Sequence, residues 1–298
     1  INGESVPVTC TSGTNAPPVA DAGPDQTGEN AVECTSPDGA EVTLDGSASS
    51  DLDDDDLTYT WTGPFPEGGG TVTGVSPTAS LPLGIHTITL TVDDGAETDT
   101  DGVDITVEDT TGPTIALIGN NPLVLACGSG PYSDPGAQAT DLCDPDPSLD
   151  ITGSVDTTVP DAYPITYTAT DETGNTSVLV RVVQVVDITP PVLSLNQLTD
   201  TLWPPNHEMV LVVTGSVSDE CAAFGDDLTL DITVTSNQAI NGPGDGDTDT
   251  DWQVSIDGSG SFEVWLRAER SGKNGDRLYS IEITASDGSN GAEATIEV

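Results

Sequence analysis

Three stretches of the chain lie over one another: His86-Thr-Ile-Thr-Leu-Thr-Val-Asp-Asp94, Tyr163-Pro-Ile-Thr-Tyr-Thr-Ala-Thr-Asp171 and Tyr279-Ser-Ile-Glu-Ile-Thr-Ala-Ser-Asp287. Each begins on a ring residue, alternates apolar with polar side chains, and reaches an Asp eight positions on. Strict alternation is the signature of a strand with one face buried. A Gly-containing turn follows each, and a second alternating run closes near Val107, Val185 and Val298. The reading is one hairpin built three times, each copy ending its own unit.

The unit starts repeat as well. Val19-Ala-Asp-Ala follows Pro17-Pro18, Thr114-Ile-Ala-Leu follows Asp109-Thr-Thr-Gly-Pro113, and Val192-Leu-Ser-Leu follows Asp187-Ile-Thr-Pro-Pro191. Proline cannot donate to a ladder and so marks strand starts and edges. These joints predict domains at 15–109, 110–188 and 189–298, behind a leader at 1–14. Short strands with frequent turn signals predict an all-β chain of three tandem immunoglobulin-like β-sandwich domains in an elongated rod. The ring residues that open the hairpins fit corner tyrosines at Tyr163 and Tyr279, with His86 in that place in the first unit.

Charge narrows the function. The 298 residues hold 5 Lys+Arg against 51 Asp+Glu, a net charge of −46. Such a chain does not bind nucleic-acid phosphates or anionic membranes by charge. No apolar run nears the ~20 residues of a membrane-spanning helix. No basic-plus-apolar signal peptide stands at the front, so the sequence reads as a mature form or an excerpt.

Residues 19–107 resemble a PKD domain through Ala20-Asp-Ala-Gly-Pro-Asp25, Val42-Thr-Leu-Asp-Gly-Ser-Ala-Ser-Ser-Asp51 and Leu57-Thr-Tyr-Thr-Trp61, with Asp53-Asp-Asp-Asp56 where that family has an Asp-Gly-Asp turn. Residues 113–187 resemble bacterial Ig-like modules related to the HYR family through Tyr132-Ser-Asp-Pro-Gly-Ala-Gln-Ala-Thr-Asp141 and Ala169-Thr-Asp-Glu-Thr-Gly-Asn175. Residues 190–298 resemble a further secreted bacterial Ig-like module through Leu202-Trp-Pro-Pro-Asn-His207 and Leu266-Arg-Ala-Glu-Arg-Ser-Gly272. These resemblances imply extracellular spacers, stalks and interaction modules on bacterial surfaces, and no catalysis.

The acids are mostly Asp and gather in loops, where several carboxylates repel unless a cation sits among them. Ca²⁺ takes six to eight oxygen ligands and tolerates irregular loops. Candidate ligands are Asp45, Asp51, Asp53 and Asp55; Asp134, Asp141 and Asp144; Asp219 and Asp226; and Asp245, Asp247, Asp249 and Asp251. The hairpin-end residues Asp94, Asp171 and Asp287 and the linker residues Asp109 and Asp187 join them. The Asp245 run is not an EF-hand, since Thr250 stands where Gly is needed and Ile256 where the closing Glu is needed. Linker acids suggest calcium held between modules, stiffening the joints. The counter-reading is a solvated acidic surface.

Five cysteines, with no Cys-x-x-Cys pair, point to disulfides rather than zinc. Cys127 with Cys143 and Cys10 with Cys34 are the expected pairs. Cys221 remains over, either a buried apolar residue or an intermolecular bridge. Four of the five basic residues, Arg267, Arg270, Lys273 and Arg277, fall in one stretch. They are either internally paired or an intersubunit patch for an acidic face. No catalytic motif emerges: His207-Glu-Met-Val-Leu211 lacks the second His of a zinc protease, and no nucleophile elbow or P-loop occurs. Trp61, Trp203, Trp252 and Trp265 read as core residues before a sugar-stacking face.

The expectation is therefore a non-enzymatic, calcium-stabilised structural protein at the bacterial cell surface. It would be a filament subunit assembling head to tail with copies of itself, the leader serving as an exchanged strand, or a segment of an adhesin or stalk beside other surface modules. The alternative is a carbohydrate- or ligand-binding accessory module of a secreted enzyme.

Overall fold

The computed structural model describes residues 14–66, 68–239, 250–269 and 275–298. The fold is all-β. The strands are Val32–Glu33 (β1), Ala40–Thr43 (β2), Thr58–Thr62 (β3), Thr71–Thr73 (β4), Thr78–Leu81 (β5), Gly84–Asp93 (β6), Thr98–Glu108 (β7), Thr114–Leu117 (β8), Leu123–Ala126 (β9) and Ala137–Thr140 (β10). They continue with Ser148–Thr152 (β11), Asp161–Thr170 (β12), Thr176–Val186 (β13), Val192–Gln197 (β14), Met209–Ser218 (β15), Thr229–Ser236 (β16), Trp252–Ile256 (β17), Ser261–Arg267 (β18), Tyr279–Ser286 (β19) and Gly291–Glu297 (β20).

The sheets run β1-β7-β6-β3-β4, β2-β5, β10-β8, β11-β12-β13-β9, β14-β15-β18-β17 and β16-β19-β20. The three repeated stretches are β6, β12 and β19, each followed by its hairpin partner β7, β13 or β20. Their alternation is realised as burial. Ile88, Leu90 and Val92 of β6, Ile165, Tyr167 and Ala169 of β12, and Ile281, Ile283 and Ala285 of β19 are all buried. Fully burying one large side chain of this kind is worth about 1.5–3 kcal/mol, so the register of each hairpin is strongly specified.

The chain divides into two compact units. One comprises residues up to Ile118 with Gly136–Ile151 and Tyr167–Leu179; the other comprises Gly119–Pro135, Thr152–Thr166 and Val180–Val298. In the N-terminal unit the core is centred on Trp61, fully buried among Leu44, Leu81, Ile88, Leu90 and Ile105, with its indole N–H donating to the Gly74 carbonyl at 3.0 Å. In the C-terminal unit Val212, Val213, Val264, Leu266, Tyr279 and Ile281 form the core. Gly215 on β15 lets Phe262 seat there: a Cβ would lie 2.4 Å from the Phe262 ring and 2.6 Å from the Ser194 carbonyl.

The corner residues behave as two cases. Tyr163 donates its hydroxyl to the Val159 carbonyl at 2.9 Å, four residues upstream. The His86 Nε2 lies 2.7 Å from the Pro82 carbonyl, the same offset, so Nε2 carries the proton and the imidazole does the work of the phenol. Tyr279 instead donates to the Arg267 carbonyl at 3.1 Å.

One core position defies its pattern. Arg181 on β13 points inward beside Val183 and Val185 and is fully buried. It donates to the Asn120 carbonyl at 2.9 Å and faces Asp134 at 3.9 Å. Asp134 also accepts from the Tyr132 hydroxyl. A buried guanidinium needs such partners, and this is where Asp134 goes.

Candidate metal centres

The N-terminal unit holds the first centre. β1 pairs in parallel with the end of β7, Glu33 opposite Glu108, and the next residue, Cys34, donates its N–H to the Glu108 carbonyl at 2.8 Å. Cys34 is disulfide-bonded to Cys143. The Glu33 carboxylate accepts from the Thr110 N–H at 3.0 Å, the Thr110 hydroxyl at 2.8 Å and the Thr111 hydroxyl at 3.2 Å. Burial pulls its pKa up, but these bonds outweigh it and hold the carboxyl below its ordinary value.

Two carboxylates converge beside this clamp, and a third, Asp171, lies in the turn packed on them. Asp109 is only 8% exposed; its Oδ1 accepts from the Thr111 N–H at 3.2 Å. Asp141 Oδ1 accepts from the N–H groups of Cys143 at 2.7 Å and Asp144 at 3.0 Å. Asp109, Asp141 and the Cys143 sulfur offer atoms that all lie within 4.8 Å of one another. Asp171 is 6% exposed and sits in the β12–β13 turn, which packs on Asp109: the Asn175 amide donates to the Asp109 carbonyl at 3.0 Å. Asp171 Oδ1 accepts from the Thr173 hydroxyl at 2.8 Å and the Gly174 and Asn175 N–H groups at 2.7 and 2.8 Å. Its Oδ2 is buried with no hydrogen-bond partner. Thr173 also lies 3.5 Å from Asp109 Oδ2, but its single proton goes to the nearer Asp171.

Charge agrees with geometry. Burial first, then repulsion from Asp141 and Asp171, pushes the Asp109 carboxyl above its ordinary value. At Asp171 burial also pulls upward, but the turn's hydrogen bonds prevail and hold it low. The stretches that make up this unit contain no Lys or Arg in the sequence.

The C-terminal unit repeats the plan. Cys127, just past β9, donates to the Val186 carbonyl at 2.8 Å and is disulfide-bonded to Cys221. Asp187 Oδ1 accepts from the Thr189 N–H at 3.1 Å and its hydroxyl at 3.0 Å. Asp219 Oδ1 accepts from the N–H groups of Cys221 at 2.7 Å and Ala222 at 3.1 Å. Asp187, Asp219 and Cys221 again fall within 4.8 Å of one another. Asp187, Cys221 and Asp287 line one cleft of about 690 Å³. Unlike Asp171, Asp287 has both oxygens bonded: Oδ1 by the Ser289 and Asn290 N–H groups, Oδ2 by the Asn290 amide at 3.2 Å.

A third cluster, Asp51, Asp53 and Asp55, has the same form. Asp51 Oδ1 accepts from the Asp53 and Asp55 N–H groups at 2.8 and 3.2 Å, while Oδ2 is buried without a partner. Asp53 accepts from the Ala16 N–H at 2.8 Å, and Asp94 from the Asn15 amide at 2.9 Å. Burial, then repulsion from Asp51, Asp53 and Asp94, raises the Asp55 carboxyl. Asp53 thus stands where the other two centres carry Cys143 and Cys221.

Several expectations are corrected. Cys127 pairs with Cys221 and Cys143 with Cys34, so neither expected pairing forms and Cys221 is not left over. Asp134 binds Arg181 and Tyr132 instead of joining Asp141 and Asp144. Asp144 accepts from the Asp146 N–H of its own loop and from the Glu172 N–H of the β12–β13 turn. Asp45 accepts from Ser47 and Ser76 and stands outside the Asp51 cluster. Asp226 is exposed and in none of the clusters seen among the described residues. Asp251 is buried in an ion pair with Arg277. Trp203 is 73% exposed, not core. Cys10, Asp245, Asp247, Asp249, Arg270 and Lys273 lie outside the described residues.

At Arg267 and Arg277 the basic stretch is an internal network, not an open patch. Arg277 is bonded to Asp251 and Ser236, lies 3.8 Å from Glu269, and sits 5.0 Å over the Tyr279 ring. Arg267 donates to the His207 carbonyl at 2.8 Å and the Thr250 carbonyl at 3.1 Å. Burial first, then the neighbouring Asp251, raises the Glu269 carboxyl, against opposition from His207 and Arg277. A raised folded-state pKa means that the folded unit takes up a proton more readily than the unfolded chain. Stability from this group therefore rises as pH falls from neutral through the folded value, down to the unfolded value of about 4.3. Glu269→Gln, which also leaves His207, Asp251, Arg267, Arg277 and Tyr279 without that titrating neighbour, should flatten this segment. Urea midpoints of the variant and parent at about pH 7 and about pH 5 check it.

The missed signal is Asp-x-Cys. Asp141-Leu-Cys143 and Asp219-Glu-Cys221 each stand 32 residues after a linker Asp, Asp109 or Asp187.

Residues 115–185 match the family described as Bacterial surface protein, Ig-like domain. No curated protein matches the sequence. Among solved structures, the protocadherin gamma B4 extracellular domain is similar at 13% identity over 90% of this chain and 47% of that one, with a TM-score of 0.37. Protocadherin gamma B7 cadherin domains 1–4 are similar at 14% identity over 90% and 73%, with a TM-score of 0.36. A nucleoside hydrolase-related hypothetical protein from Saccharophagus degradans, associated with carbohydrate metabolism, is 25% identical over 32% of this chain and 26% of that one, with a TM-score of 0.23. The chain spans about half the length of the first of these.

Proposed function

We propose that this chain is a non-enzymatic, extracellular structural segment of a bacterial surface protein, built from three tandem modules at 15–109, 110–188 and 189–298. The first two are of PKD-like and HYR-related type. The observation that carries the reading is the twofold recurrence of one joint: a strand-end Cys bridged to an Asp-x-Cys loop, next to a linker Asp. Both bridges fit an oxidising compartment. A joint fixed covalently and by convergent carboxylates suits a spacer, stalk, adhesin or filament that must resist bending.

Calcium is the cation these residues fit. The donors are hard carboxylate oxygens in irregular loops, and the cysteines are tied up as disulfides. Asp109, Asp141 and Asp171 would hold it at the first joint and Asp187 and Asp219 at the second. One exposed indole, Trp203, does not make a sugar-stacking face, so the accessory-module reading stands second.

Small-angle scattering and electron microscopy in calcium and then chelator test the proposal. Chelation should broaden the distance distribution by loosening the joints, and any filaments should soften or fray. Identical profiles in both conditions would remove calcium from the function; binding in a glycan screen would bring the accessory-module reading forward.

A further inference from the structure

We infer that at the first joint the cation and the Cys34–Cys143 disulfide are thermodynamically coupled, each strengthening the other, so that the redox state of the bond sets the cation affinity of the site. The inference rests on the cation reading of that joint and adds a regulation to it.

An acidic cluster alone would not justify a ligand. Here a second observation points to one: Asp171 is 6% exposed, its Oδ2 has no donor, and it sits in the turn that packs on Asp109. Burying a carboxylate oxygen unpaired is costly. None of the ion pairs among the described residues reaches Asp109, Asp141 or Asp171, and the stretches that make up that unit contain no Lys or Arg. A divalent cation would supply the positive charge that these stretches lack.

The disulfide bears directly on this geometry. At one end, Cys34 is bonded to the Glu108 carbonyl, one residue before Asp109. At the other, the Cys143 N–H donates to Asp141 Oδ1 at 2.7 Å. The covalent bond therefore holds the linker carboxylate and the loop carboxylate at one place. With the bond open, a cation must order the loop itself, and its affinity drops by that cost. Binding linkage is reciprocal: whatever factor the bond adds to cation affinity, the cation adds to the equilibrium resistance of the bond to reduction.

Reduction by a dithiol balances simply. One reductant thiolate attacks a sulfur, forming a mixed disulfide and releasing one Cys as its thiol. The second reductant thiol closes the ring and releases the other. Two electrons and two protons pass to the protein, and the reductant leaves as a cyclic disulfide.

The test uses the whole chain with calcium chloride as the probe. The fraction of Cys34–Cys143 reduced is read at equilibrium in dithiol/disulfide buffers by alkylation and peptide mapping, with saturating calcium and with chelator. Calcium should lower the equilibrium constant for reduction at least about tenfold, a potential shift of about 30 mV. Calorimetric calcium affinity at this site should fall by the same factor in Cys34→Ser/Cys143→Ser. Asp171→Asn keeps the turn's acceptor while removing the charge, and should abolish the calcium-dependent shift in an oxidised chain whose circular dichroism is unchanged. Should the double variant not fold, the redox titration of the unsubstituted chain still decides. Calcium binding to the oxidised chain with no shift in reduction overturns the coupling and leaves the cation reading standing. No calcium binding to the oxidised chain overturns both.

Discussion

Converting Cys34 and Cys143 together to serine should lower the unfolding free energy of the N-terminal unit by about 4 kcal/mol, read as a shift in urea midpoint under oxidising conditions. The bridge spans 109 residues. In the chain-entropy account a closed loop of that length restricts the unfolded ensemble by an amount of that order. Both sulfurs are buried, Cys34 in the core that holds Ala40 and Val107, so the substitution also places hydroxyls among apolar neighbours. An equal midpoint for parent and variant would mean that the strand pairing of β1 with β7 and the Glu33–Thr110 bonds hold the joint alone.

Arg277→Met should destabilise the C-terminal unit by about 3–5 kcal/mol, because it strands buried Asp251 and takes one cation from buried Glu269, which keeps Arg267 at 3.8 Å. The loss should shrink as pH falls, since protonation of Glu269 removes one of the two buried charges that Arg277 balances. Arg277→Met with Asp251→Asn should recover part of the stability, as removing both partners is milder than removing one. Thermal or urea unfolding of the three variants measures this. A neutral Arg277→Met would restore the view of this stretch as a surface patch.

These two residues mark where sequence reasoning stopped. In the sequence, Arg277 belongs to a run of four cations on an acidic chain, and clustering alone reads equally as patch or pairing. Its acid partners sit 26 residues upstream at Asp251 and 8 residues upstream at Glu269, brought together by β17, β18 and β19. Arg181 is similar. Its position in the alternation called for an apolar side chain, and only the fold brings Asp134 and the Asn120 carbonyl to its head.

The hairpins needed no such help. A side-chain period of two is local, and a one-residue slip would turn Ile88, Leu90 and Val92 to solvent, so the pattern in the chain already carried strand, register and buried face. The acidic loops were legible for the same reason: Asp51, Asp141 and Asp219 cap the backbone of their own loops within four residues.

Pairing across the chain was not legible. Cys127 and Cys143 are near in sequence, and nearness suggested a bond. The fold instead places Cys127 at the end of β9 and Cys143 in the Asp141 loop, in different compact units, each beside the partner it takes. The sequence by itself determined the all-β class, the repeated hairpins and the wealth of loop carboxylates, because each depends on residues a few positions apart. Tertiary structure alone decided which cysteines bond, which acids converge and which are ion-paired. Those outcomes rest on distances of a few ångströms between residues up to 109 positions apart.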